Sequence, residues 1–445
     1  MYKTWLGQQA ENMFWYPKLI ELLPKDNKLI KMRDEIPFDE IVDIIKHKYC
    51  SNNWAPSKSL RKLIALEILK KRFGYSDRDL VTIANTDLAV MYFCGYEYPT
   101  VEEMDSSVMT KFRNKIDNET AMLIQDVALW KAIKQLHWRK KWNLHADTTC
   151  IPENIEFPTD TSLLKKSFKK LITIIQDGKK LLWDKAKSII IRWKQKLQKA
   201  IRVFDLQRNK SQKQIQSMRK KLIKIVSKLS TKAQSIVKQV SDQIAILPES
   251  ALKKTKQTIE VINKVVEQQK ELIANKWKSM SWRIVSLHKD YVRPIFRGKA
   301  KNRTEFWAKV TMNLIGWRYV QIVAVENENT SDTTMPIKSV NAYEKVVGKK
   351  PKELSIDRGW HSPWNHEYCK ENKIADWIQY KWKVPKSAQL APIATRKRLA
   401  KERCFMEWFI WIGKRKYGLG VSTYSESNRI FGFICSWIAM NYRMW

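Results

Sequence analysis

The sequence predicts an α/β chain of the mixed α+β kind, with an all-helical N-terminal region and a long basic helical insertion. Three observations carry this. In the C-terminal half, short apolar strand-like runs alternate with helical stretches, and two of the runs end in isolated acids, Asp147 and Asp357. Residues 1–140 show helical apolar spacing. Residues 161–280 hold 30 Lys and Arg against 8 Asp and Glu, with only Gly178 and Pro248 as breakers. The expected organisation is a helical region over 1–140, a catalytic-type α/β region over 141–445, and an inserted basic helical hairpin over 162–284.

Taken in order, Leu60 to Phe73 has helical spacing and stops at Gly74. Ser76 followed by Asp77-Arg78-Asp79-Leu80 reads as the capped start of a second helix through Ala89. Short basic helices around a glycine-containing turn allow a helix-turn-helix unit, or an ordinary bundle. Residues 141–149 read as a strand ending at Asp147. In the insertion, Leu222, Ile225, Leu229, Ala233, Ile236, Val240, Ile244 and Leu247 step by three and four, an amphipathic stripe. Pro248 turns the chain into a second helix over 250–276. Its lysines form either a solvated face or a clamp for DNA. Strands are expected at Thr304–Leu314 and Arg318–Val325, joined near Gly316-Trp317, then at Glu353–Ile356 and Ile378–Tyr380. Helices are expected at Val340–Val347, Asn365–Glu371, 394–412 and 424–442.

Composition narrows the function. The 445 residues suffice for two or three domains. The net charge of +38 favours a polyanionic partner, because each phosphate contact releases counterions. Cysteines 50, 94, 150, 369, 404 and 435 show no C-x-x-C pair or zinc spacing and read as reduced thiols of a cytoplasmic protein. There is no signal-peptide pattern and no apolar run of about 18 residues, so no membrane span is expected. P-loop, G-x-G-x-x-G and G-x-S-x-G patterns are missing.

The chemistry rests on three acids. Glu407 lies on an expected helix with Arg403 four residues before and Lys414 seven after, spacings that share a face. Asp147 and Asp357 end strands. Two aspartates on strands and a glutamate on a helix suit a site for two divalent cations, Mg²⁺ or Mn²⁺, which take few carboxylates and leave room for phosphate oxygens. Asp147 would bridge both ions, with Asp357 on one and Glu407 on the other. Arg403, Lys414 and Arg358 are the candidate phosphate contacts. His145 and His361, near the acids, read as supporting or packing residues.

At these residues the chain resembles bacterial insertion-sequence transposases of the DDE class, nearest to the insertion-sequence-four and -five groups. The similar text includes Ala55-Pro56-Ser57-Lys58, Leu63-Ile64-Ala65-Leu66, Tyr92-Phe93-Cys94-Gly95, Asp147-Thr148-Thr149, Phe157-Pro158-Thr159-Asp160, Tyr291-Val292-Arg293-Pro294-Ile295, Arg297-Gly298-Lys299 and Asp357-Arg358-Gly359. The family's Tyr-x2-Arg-x3-Glu-x6-Lys signature falls on Arg403, Glu407 and Lys414, with Ala400 at the tyrosine position. The resemblance implies an RNase H-like catalytic domain, hydrolytic nicking at element ends and 3′-OH attack on target DNA. It also implies an N-terminal domain that recognises the ends, a homodimer on double-stranded DNA, and a cytoplasmic, nucleoid-associated location. Two other readings stand beside it: an inactive or repurposed DNA-binding protein, and a metal-dependent nuclease of the same fold.

One count is anomalous. The chain has 12 Gly and 20 Trp, whereas average usage would give about 31 glycines. The resembling families carry glycine where Trp307, Trp408 and Trp411 stand. An indole at 408 would crowd the helix beside Glu407 where close packing favours glycine. The expectation is that many of these tryptophans are UGA codons read as glycine; the alternative is genuine tryptophan used for stacking or core filling.

Overall fold

The computed structural model describes residues 17–49, 58–136, 142–182, 188–243, 249–275, 283–296, 304–327, 332–378, 380, 384 and 392–442. In chain order the helices of the first part are α1 (Leu19–Leu22), α2 (Lys28–Glu35), α3 (Phe38–Lys46), α4 (Leu60–Phe73), α5 (Asp77–Ile83), α6 (Leu88–Cys94), α7 (Ser107–Lys115) and α8 (Asn118–Lys134). Then come β1 (Asn143–Pro152), α9 (Asp160–Leu181), α10 (Ser188–Leu206), α11 (Gln212–Gln243), α12 (Glu249–Ala274) and β2 (Pro294–Phe296). The remainder is β3 (Thr304–Ile315), β4 (Tyr319–Glu326), α13 (Met335–Val347), β5 (Glu353–Ile356), α14 (Pro363–Glu371), β6 (Ala375–Ile378), α15 (Ile393–Lys416) and α16 (Arg429–Asn441). Two compact units result: Met1–Asn154 with Ala308–Trp445, and Ile155–Trp307.

In the first unit, local signals set the helix ends. The Ser59 hydroxyl accepts from the Lys62 amide to open α4, and Gly74 closes it at φ 74°, where only glycine is unstrained. Ser76 and Asp79 form a reciprocal capping box at α5. The expected single helix from 76 to 89 is two helices, because Asp87 accepts from the Ala89 and Val90 amides and starts α6. That α6 buries Val90, Met91, Phe93 and Cys94 and carries no cation.

The unit's sheet has five strands in the order β4-β3-β1-β5-β6. β3 and β4 are antiparallel, whereas β1 with β5 and β5 with β6 are parallel. β6 starts and ends earlier than the run at 378–380 suggested. On the outer side of β4, two side-chain amides stand in for a missing strand. Asn441 exchanges two 2.9 Å hydrogen bonds with the backbone of Val320, and Gln125 does the same with Ile322 at 2.6 and 2.9 Å. They satisfy backbone groups that would otherwise template another strand. The apolar tail folds as α16, whose Phe431, Phe433, Ile434, Trp437 and Ile438 are buried and pack against α4, α8 and β4. Full burial of each such side chain stabilises by about 1.5–3 kcal/mol. One hydrophobic core thus joins the N-terminal helices, the sheet and α16.

The second unit contains four helices, α9 to α12, where the sequence suggested a hairpin. The apolar stripe of α11 holds: Leu222, Ala233, Ile236 and Val240 are buried, while Lys213, Lys220, Lys221, Lys224, Lys228, Lys232 and Lys238 are exposed. Ile244 and Leu247 lie outside the described residues. Asp160 is a structural hub, taking an ion pair from Arg219 at 2.5 Å, a hydrogen bond from Gln269 at 2.8 Å, and a further pair from Arg283. β2 pairs antiparallel with residues 304–306 of β3 inside this unit. α9 and α11 approach at Gly178, where an added Cβ would lie 2.4 Å from Ile236 Cγ2. Gly178→Val is expected to lose about 1–3 kcal/mol by overpacking, read as a lower urea midpoint at unchanged slope.

Candidate active site

Register brings the two aspartates together. Ala146 pairs with Ile356 on the parallel neighbours β1 and β5, so Asp147 and Asp357 follow at the same level, about 4.8 Å apart between strand axes. The strand expected to end at Asp147 runs on to Pro152, so Asp147 lies within β1 and only Asp357 leaves a strand end; the two stand just past the last parallel pair, Ala146 with Ile356. α15 packs against β1, β5 and β6. Its Ser355 contact, with the β5 hydroxyl donating to Leu399 O at 3.2 Å, fixes the helix against the strand.

On α15, Arg403 joins the acids. Its Nη1 donates to Asp357 Oδ1 at 2.6 Å and its Nη2 to Glu407 Oε1 at 3.2 Å. The guanidinium loses some solvation, which lowers its pKa, but the hydrogen bond to Asp357 and the charges of Asp357, Asp147 and Glu407 raise it above the ordinary value. Asp147, whose Oδ1 accepts from the Thr148 amide at 2.7 Å, is half-buried. Burial pushes its carboxyl up to about 6; the Thr148 bond opposes this, Asp357 and Glu407 add to it, and Arg403 subtracts. Arg403 therefore contacts both Asp357 and Glu407, and Asp147 lies within their electrostatic reach.

The other expected residues fall differently. Lys414 donates to Cys150 O of β1 at 2.9 Å, tying the end of α15 to the strand that carries Asp147. Arg358 starts a short 3₁₀ turn through Trp360, and its side chain lies outside the described residues. His145 is fully buried, and the indole Nε1–H of Trp317 donates to its Nε2 at 2.9 Å. Burial, then Arg398, lowers its pKa to about 4. Trp408 and Trp411 do not crowd the helix: they are 38% and 49% exposed on its outer face, with Trp411 lying under Arg415. Cys94, Cys150, Cys369 and Cys435 are buried, Cys404 is exposed, and Cys50 lies outside the described residues.

Sequence reasoning missed a second charged layer. Arg398 holds both oxygens of Glu402 at 3.0 and 3.1 Å and reaches Glu353 at 2.5 Å. Glu402 lies 3.8 Å from His145 Nε2. The only hint was the i, i+4 spacing of Arg398 and Glu402.

Asp147 and His145 shift in opposite directions over one pH window. Asp147 holds its proton more tightly when folded, so its contribution is complete below about pH 4 and lost as pH rises through 6. His145 resists protonation when folded, so its contribution is complete above about pH 6.5 and lost as pH falls through 4. The two largely cancel. Asp147→Asn is expected to expose the histidine, with stability rising by about 3 kcal/mol from pH 4 to 6.5; a flat curve in denaturant titrations would contradict these shifts.

Residues 17–115, spanning α1 to α7, match the family model described as Transposase domain (DUF772). The N-terminal helices match a transposase domain. A curated protein of Rhizobium meliloti, "Uncharacterized protein ORF8 in nfe locus", is 27% identical over 120 residues, which is 26% of this chain and 58% of that protein. The chain thus spans just over half the length of the relative it matches. No solved structure matches the chain. Among the described residues, no helix is long and apolar enough to cross a membrane.

Proposed function

We propose that the chain is a DDE-type transposase with an RNase H-like catalytic domain. It would cleave DNA at insertion-sequence ends and join the 3′ ends to target DNA. The observation that carries this is the register of β1 on β5, with Asp147 and Asp357 side by side and Glu407 reaching the same place from α15. The strand order β4-β3-β1-β5-β6, with an antiparallel hairpin beside a parallel pair, supports the RNase H-like reading.

The donor set is all oxygen, which suits Mg²⁺ or Mn²⁺. Among the described residues no three His, Cys, Asp or Glu side chains form a ready metal cage. Instead the Arg403 guanidinium lies between Asp357 and Glu407, a cation where the acids call for one. Asp147, Asp357 and Glu407 would hold the ions. Two bound ions would supply an activated attacking oxygen and charge stabilisation for the leaving one. Asp147 must give up its proton first, which its raised pKa makes pH-dependent. Arg403, once released from the acids, is placed to take a phosphate oxygen by its fork of N–H donors. Lys414 holds β1 at the level of Cys150. The exposed lysines of α11 are suited to non-specific backbone contacts, and pairing of two ends calls for two copies of the chain on DNA.

The test is a strand-cleavage and strand-transfer assay on duplexes carrying the inverted repeats that flank the gene, with Mg²⁺ or Mn²⁺. Nicking followed by joining is expected. Nicking without joining would make the chain a nuclease of the same fold, and binding with neither would make it a repurposed DNA-binding protein.

A further inference from the structure

Trp317 occupies a backbone position that excludes it. The hairpin between β3 and β4 turns at Ile315-Gly316-Trp317-Arg318, closed by a hydrogen bond from the Arg318 amide to Ile315 O at 3.2 Å. Gly316 has φ 61° and Trp317 has φ 58°. Both central residues at positive φ mark the type I′ turn, which takes Asn-Gly or Gly-Gly because its second central residue has to be left-handed. For a bulky residue this is an outlier. One other described non-glycine residue, Lys373, shares it.

The indole does gain a bond, donating to His145 Nε2. That bond fixes the histidine proton on Nδ1, a buried atom with no hydrogen-bond partner. Without the indole, Nε2 could carry the proton and face Glu402, 3.8 Å away. The apparent gain thus strands a donor in the core.

The other tryptophans are also misplaced as a class. Of the ten whose side chains are described, only Trp360 and Trp437 are buried, while Trp130, Trp364, Trp408 and Trp411 are exposed by 53%, 75%, 38% and 49%. Tryptophan is normally among the more buried residues. The chain meanwhile has 12 Gly and 20 Trp, where about 31 glycines would be ordinary.

We infer that the gene specifies glycine, not tryptophan, at position 317. A UGA codon written as tryptophan but decoded by the cell as glycine yields this residue, and the turn then has its Gly-Gly centre.

Peptide mass spectrometry of the protein purified from its native host decides the matter without any activity assay. Glycine is expected at position 317, with UGA in the gene; tryptophan there overturns the inference. In recombinant protein carrying tryptophan throughout, Trp317→Gly is expected to raise Tm by about 2–4 °C, and by more than Trp317→Ala, which keeps the Cβ clash. A lower Tm for the glycine variant would show that the His145 bond outweighs the turn, and would overturn it too.

Discussion

Asp147→Asn is expected to lower metal-dependent DNA cleavage by at least about 10³-fold, because on the proposed function Asp147 would hold the ions that supply several kcal/mol of transition-state stabilisation. Asp357→Asn and Glu407→Gln are expected to follow, with Glu407 mildest because it is 59% exposed and held by one 3.2 Å contact. Duplex binding should stay within a few-fold. It draws on a chain with 83 Lys and Arg and a net charge of +38, to which one carboxylate is a small correction. Single-turnover cleavage of a labelled end duplex beside a filter-binding curve separates the two. Arg403→Ala should behave differently again. It frees two acids from an ion pair, so apparent metal affinity should rise while the rate falls. Retained cleavage in the Asp147 variant would remove that residue from the chemistry.

Arg113→Leu is expected to destabilise the first unit by about 3–5 kcal/mol, the cost of leaving a buried charge uncompensated. Glu67 is fully buried on α4, and its carboxylate is held by Arg113 Nε at 2.5 Å and the Tyr424 hydroxyl at 3.0 Å. Arg113 also pairs with Asp77 at the start of α5, which Lys70 holds at 2.6 Å. Lys71 lies over the Tyr424 ring at 4.4 Å, and burial lowers its pKa to about 8. The network pins α4, α5 and α7 to the segment that leads into α16, so its loss should loosen all of them together. Urea unfolding of the variant would show the drop. The double variant Arg113→Leu with Glu67→Leu should recover part of it, since neither charge is then left alone.

The sequence carried the strands better than their neighbours. Glu353–Ile356 was legible because four residues end abruptly in Asp357-Arg358-Gly359. The closeness of Asp147 and Asp357, each following the paired Ala146 and Ile356, was not, because parallel register between segments some 200 residues apart is set by the shared core, not by local spacing. Arg403 with Glu407 followed from i, i+4 spacing, whereas Arg403 with Asp357 needed α15 laid on the sheet. The break between α5 and α6 was misread because Leu80, Ala84 and Leu88 keep a four-residue spacing across the second cap at Asp87. Asp160, read only as part of a resembling motif, proved to be a packing hub whose partners lie about 60 to 120 residues away. The four helices of the second unit exceeded the expected pair because periodicity gives faces but not the number of turns between them.

On the proposed function, Asp147, Asp357 and Glu407 form one divalent-cation site. Calorimetric titration of Mn²⁺ into the protein, as it stands and as Asp147→Asn, tests it most directly. Binding is expected in the unaltered protein, weakening as pH falls through 6, and lost or reduced by at least about tenfold in the variant, a difference of about 1.4 kcal/mol or more. Mn²⁺ binding of equal affinity and stoichiometry in both would contradict the claim.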